Sequence, residues 1–143
     1  MELWRKAQDL NRLQWKSLAC SLVMLPLIDI SLRLAGYKRS RDTLAALAKS
    51  RSPANSEADI ETVGEQMARV VSIAGRRSPW PTTCLRQALM LWFLLNRRGI
   101  VCEVRVGVEN SVTSGFAAHA WVERNGRVLI GGEHAQARYV VLV

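Results

Sequence analysis

Up to Gly99 the apolar residues of this chain recur every three or four positions, and from Ile100 onward they recur every second one. That change of period constrains the fold more than any other feature. A 3.6-residue pattern keeps one face buried only in a helix, and a two-residue pattern only in a strand. Helices are therefore expected first and a sheet after them. Leu3, Trp4, Ala7, Leu10, Leu13 and Trp15 mark an amphipathic helix with Arg5, Lys6, Asp9 and Arg12 outside. Leu18 to Leu34 continues as helix, with Pro26 forcing a kink or break and Gly36 ending it. A short helix is expected over Asp42 to Ala48, and Arg51 to Glu57 reads as a loop. Ser56 then caps a helix through Ala74 whose face carries Ile60, Val63, Met67, Val70 and Val71, and Gly75 stops it.

A helix starting near Cys84 and ending near Gly99 precedes the change of period. After it, Ile100 to Val108 and Phe116 to Glu123 alternate as half-buried strands. Asn125-Gly126 is a tight-turn signal, Arg127 to Ile130 returns as the hairpin partner, and Arg138 to Val143 supplies a last strand. The fold class read from this is α+β. A helical N-terminal region, residues 1–75, precedes a core, residues 76–143, of one central helix packed on a small antiparallel sheet, within one compact domain. With 143 residues, 49% of them hydrophobic, a sizeable core needs no staple. Cys20, Cys84 and Cys102 form no CxxC pair and are odd in number, which points to a reducing cytoplasm and to no metal.

The N-terminus has a long charged lead and no small-residue cleavage site, so it does not read as a signal peptide. The apolar run Leu18 to Ile28 is shorter than the roughly 20 residues of a span, and a core helix or partner-docking face is favoured over membrane-surface contact. The net charge of +8 is uneven: ten Lys+Arg against four Asp+Glu in residues 1–55, and ten against eight in residues 56–143. No aromatic–basic RNA motif, zinc finger or recognition helix accompanies the basic half, which disfavours nucleic acid. A solvated face, or a surface for an acidic peptide or protein, explains it better.

The chemistry concentrates around Cys84. Pro79 and Pro81 keep the residues before them out of helix, and Thr82 or Thr83 can cap, so Cys84 falls at the first or second helical position. Unpaired N–H groups and the positive end of the helix dipole favour thiolate there. Arg86, Arg97 and Arg98 are too uncertain in direction to be credited with the same effect. A free cysteine taken alone is more often just a small buried apolar residue. What raises Cys84 above that reading is a histidine on a strand able to reach it. His119 is flanked by Ala117, Ala118 and Ala120, which leave room for an imidazole that takes the thiol proton and returns it to a leaving amine. The oxyanion would face N–H groups at the helix start, Cys84's own among them. His134 reads as a loop residue.

TCLRQALMLWFLLNRRGIVCEVRVGV followed by FAAHAWVERNGRVL resembles the leader peptidases of lasso-peptide biosynthesis, which are transglutaminase-like, papain-related cysteine proteases. The likeness covers residues 79–143 well and the helical half only in general form. It implies Cys84 as nucleophile, His119 as general base and a ribosomally made precursor peptide, its leader and core still joined, as substrate, with no cofactor. It also implies a separate winged-helix leader-recognition protein, since residues 1–75 read as helices without the strands that domain needs, and an ATP-dependent lasso cyclase that receives the freed core amine.

The family's third catalytic member, an acid after the histidine, is where this sequence departs. A two-residue turn sets Arg124 opposite Arg127 and, in that register, Gly132 opposite His119. A bulge at Gly131-Gly132 would turn Glu133 back toward the imidazole, which makes Glu133 the candidate orienter. A backbone carbonyl, a water, an acid from elsewhere or a plain dyad are the other readings. Trp80 and Trp121 read as groove or packing residues, and Cys20 and Cys102 as inert. Acyl transfer to an amine, and a non-catalytic peptide-binding adaptor, are the competing functions.

Overall fold

A computed structural model of the chain describes residues 12–48, 57–78, 83–111, 115–132 and 135–142. In order they form α1 (Arg12–Leu47), α2 (Glu57–Arg77), α3 (Cys84–Asn96), β1 (Glu103–Ser111), β2 (Gly115–Arg124), β3 (Arg127–Ile130), α4 (Ala135–Arg138) and β4 (Val140–Val141). Helices come first, then an antiparallel sheet in the spatial order β3-β2-β1-β4, so the described residues are α+β. The expected first helix from Leu3, the Arg51–Glu57 loop up to Ser56, and the Ser56 cap lie outside the described residues.

All eight residues from Ala88 to Leu95 are buried, so α3 is apolar on every side. Such a helix is stable only at the centre of a core. α1, α2, β1, β2 and β3 all pack against it. It ends in a Schellman turn: Ile100 N–H donates to the Leu95 carbonyl and Gly99 N–H to that of Asn96, both at 3.0 Å, with Gly99 at φ 71°. The chain then reverses into β1.

Three helical expectations are corrected. Pro26 does not break α1, whose backbone stays helical there; the one non-helical residue is Gly36, at φ 81° and ψ 175°. Pro26 sits toward the solvent side of the helix beside exposed Leu22, where water can satisfy the carbonyl that loses its partner. Gly36 ends the first arm as expected: α1 is two helices joined at a kink there, and Ser31 Oγ and Ser40 Oγ meet at 2.7 Å across it. The short helix expected over Asp42–Ala48 is thus the end of a longer second arm. Gly75 does not stop α2, which runs on to Arg77 with Ser78 N–H donating to the Ala74 carbonyl. A glycine inside a helix costs only about 1 kcal/mol, less than burial of neighbouring Val70, Val71 and Ala74 returns. Trp15, expected on an apolar buried face, is exposed.

In the sheet, β1 starts at Glu103 rather than Ile100 and runs to Ser111. Asn125 (φ 50°) and Gly126 (φ 79°) make the primed two-residue turn of a β2–β3 hairpin. Arg124 pairs with Arg127 as expected, but Glu123 pairs with Val128 and Val122 with Ile130, so the bulge lies at Leu129 and not at Gly131-Gly132. The expected strand over Arg138–Val143 is shorter. Arg138 belongs to α4, and only Val140 and Val141 pair with Val108 and Gly107.

Candidate active site

Cys84 is the first residue of α3. Thr83 is its N-cap in extended conformation, accepting the Arg86 N–H on Oγ1 at 3.4 Å, while its carbonyl takes the Gln87 N–H at 3.2 Å. The caps engage those two donors, so the N–H groups of Cys84 and Leu85 are the ones the helix itself cannot satisfy. No acidic residue sits in this first turn. Cys84 is half-buried and packs against the core.

The three arginines left open by the sequence now have directions. Arg86 pairs with Asp29 of α1, which also takes Arg33 Nε at 3.0 Å. Arg98 donates to Ser17 Oγ and to the Leu94 carbonyl, each at 3.2 Å, and Arg97 stacks over Phe93. Arg97 and Arg98 therefore belong to the far end of α3, about 20 Å from Cys84 along the helix. Burial lowers the Arg98 pKa, with Arg97 adding to the effect.

His119 lies on β2 opposite Gly107 of β1. Its Nε2 is 2.5 Å from the Gly131 carbonyl oxygen. A carbonyl can only accept, so Nε2 carries the proton, and in the neutral ring Nδ1 holds the lone pair. The ring stacks on Tyr139 at 5.0 Å and lies 6.2 Å from Trp121, which is fully buried and donates Nε1–H to Glu123. Glu123 also takes Arg105 Nε at 3.1 Å.

Strand alternation gives the sheet two faces. Cys102, Val104, Val106, Ala120 and Val122 join the helical core that includes Cys84. His119, Trp121 and Glu123 stand on the other face, beneath Tyr139. Among the described residues no hydrogen bond joins Cys84 to His119. Glu133, His134 and Trp80 lie outside the described residues. The displaced bulge means that the register placing Gly132 opposite His119 is off by one, and the partner seen on the imidazole is the Gly131 carbonyl, one of the readings left open by the sequence.

Sequence reasoning missed Gly107 and Tyr139, which shape this site, and read Gly131 only as a place for a bulge. A Cβ at Gly107 would lie 2.8 Å from Tyr139 Cβ and 2.9 Å from Trp121 Cη2; one at Gly131, which has φ 110°, would lie 2.5 Å from Trp121 Cβ. Gly107 and Gly131 are thus demanded by the aromatic stack, and Tyr139 completes it. The signal for Gly107 was an isolated glycine inside a strand pattern, which marks close approach. Tyr139 gave none, being read as part of a strand. Beside the stack, a cleft of 340 Å³ opens between α2 and β3, lined by Glu65, Arg69, Ser72 and Arg127 and by Ile130 and Gly132 on either side of Gly131.

The other two thiols stand away from any helix start. Cys102 is buried, and burial pushes its pKa up to about 12, which agrees with an inert residue. Cys20 is half-buried in α1.

Residues 24–143 match the family model of the transglutaminase-like superfamily. The chain belongs to that superfamily. No curated protein and no solved structure gives a match. Transglutaminase-like proteins are often cysteine proteases or acyltransferases, and activity of that type fits a cysteine that opens a helix and a histidine on the following sheet. The transglutaminase-like match begins inside α1, so it takes in α2 and the second arm of α1, which the sequence pattern tied to a family only in general form.

Proposed function

We propose that this transglutaminase-like chain is a cysteine peptidase that removes the leader from a ribosomally made lasso precursor peptide. It would act with a separate winged-helix leader-binding protein and hand the product to an ATP-dependent cyclase. The superfamily, Cys84 at the first position of a capped helix, and the FAAHAWVE strand pattern support the reading. The observation that carries the chemistry is the hydrogen bond from His119 Nε2 to Gly131, because it leaves Nδ1 as the free base.

In this reading Nδ1 takes the Cys84 proton and Sγ attacks the carbonyl carbon at the leader's end. First-turn N–H groups, Cys84's own included, hold the oxyanion. His119 then protonates the leaving amine, which departs as the new N-terminus of the core peptide, while the leader remains as a thioester on Cys84. Water, losing a proton to Nδ1, breaks the thioester and releases the leader carboxylate. The step requires Sγ and Nδ1, which stand on the core side and the opposite side of the sheet, to meet in the substrate complex, and that contact is part of what is proposed. The Gly131 carbonyl takes the orienting role an acid usually fills; Glu133 is the candidate to reinforce it. The cleft between α2 and β3 would take residues flanking the cleaved bond.

Mass spectrometry of the precursor peptide incubated with this protein and its leader-binding partner tests the proposal. Cleavage at one bond is expected, falling at least about a thousandfold in Cys84→Ala and strongly in His119→Ala. Cleavage that survives Cys84→Ala overturns it. Acyltransferases share the superfamily, and the same spectra separate them: with an added amine, a transferase yields one joined product instead of two peptides. A binding adaptor would hold the peptide equally well in both variants and never cut it.

A further inference from the structure

The arm of α1 before Gly36 is apolar on two opposite sides. Leu18, Leu25 and Ile28 turn into the core. On the other side Val23, Leu27, Ile30 and Leu34 are 64%, 52%, 51% and 84% exposed, with Trp15 and Leu22 exposed beside them. At roughly 100° per residue Val23, Leu27, Ile30 and Leu34 form one stripe along the helix, with Trp15 and Leu22 on its flank. The best 18-residue window of this helix has a mean hydropathy of 1.8, although only 22% of that window is buried. A helix apolar all round needs apolar surroundings on the side its own protein leaves open.

Basic residues close both ends of the stripe. Arg12 and Lys16 are exposed on its face at one end; at the other Arg33 is exposed on its flank, and Lys38 and Arg39 are exposed just past the Gly36 bend. About 25 Å of helix separates the two basic ends. Asp29, at the rim, is held by Arg33 and Arg86. Two copies laid antiparallel across this stripe would set Lys16 against Arg33, and two laid parallel would set each basic end against itself. An anionic bilayer answers both parts at once, with acyl chains for the stripe and phosphates for its ends.

We propose that the first arm of α1 is a membrane-surface site, lying in the plane of an anionic bilayer with Val23, Leu27 and Ile30 at the acyl boundary. It lies on the membrane and does not cross it, because its opposite side packs in the core. The site is separate from the peptidase chemistry and does not depend on it.

The test is flotation of the full-length protein with vesicles of phosphatidylcholine alone and of an equimolar mixture with phosphatidylglycerol. The protein is expected to float with the mixed vesicles, with at least about tenfold preference over neutral ones. Leu27→Asp with Ile30→Asp, both at exposed positions, should abolish flotation at unchanged circular dichroism. Lys38→Glu with Arg39→Glu should erase the preference for phosphatidylglycerol. A wild type that floats with neither vesicle, or flotation that survives the Asp pair, overturns the proposal. So does a dimer, or a complex with the leader-binding protein, that the Asp pair dissolves while vesicles are ignored, for then the stripe is a protein interface.

Discussion

Gly131 serves His119 through two different parts of itself. Its carbonyl takes the Nε2 proton at 2.5 Å, and its missing Cβ leaves space for Trp121, which packs beside the imidazole. Gly107 does the second of these jobs from the neighbouring strand. Cys84 and His119 could be picked out from the sequence because each has a local sign, a helix start for one and small neighbours for the other. How the imidazole is held could not, because Gly131 and Tyr139 lie 12 and 20 residues further on and meet it only in the folded sheet. Cys102 shows the opposite use of a thiol at this scale. Its raised pKa means that between about pH 9 and pH 12 the unfolded chain gives up a proton that the folded thiol keeps, so stability falls as pH rises through that window. Denaturant unfolding of wild type and Cys102→Ala should therefore differ by a constant amount below pH 9, with the wild type losing ground above it. Parallel curves throughout would show that burial does not perturb this thiol.

Elements whose ends are set by local hydrogen bonds were legible, and those set by packing were not. Thr83 as a cap, the Arg98-Gly99-Ile100 stop and the Asn125-Gly126 turn each need only neighbouring residues, and each stands where the sequence put it. Pro26 and Gly75 looked like breaks, yet α1 and α2, with buried neighbours on either side, continue as helix past them. The β3 bulge was foreseen in kind and misplaced in position, because where Leu129 drops out of register is decided against β2 and not by the paired glycines. Gly36 makes the contrast testable. Its φ of 81° with ψ of 175° is a conformation nearly confined to glycine, while a Cβ there would meet nothing within 4 Å. Gly36→Ala should then destabilise by about 1–3 kcal/mol through backbone strain alone, read as a fall of several degrees in Tm. An unchanged Tm would mean that the bend does not need a glycine.

Across the whole molecule, charge and chemistry occupy different halves. The basic excess and the exposed apolar stripe belong to α1, whereas Cys84 and His119 belong to α3 and β2. The period change at Gly99 falls between Cys84 and His119 and separates helices from sheet, but it concealed how the two share a core: Met67, Val70 and Val71 of α2 and Leu25 and Ile28 of α1 join the cluster built around α3. Because α3 is buried on all sides, residues 76–143, which hold every residue proposed for catalysis, are not a portable cassette. Expressed alone, that fragment would carry a bare aliphatic rod and should collect in the insoluble fraction, while the full chain stays in solution; a soluble, cooperatively melting fragment would refute this. Any graft of this chemistry onto another scaffold must therefore bring its helical wrapping along.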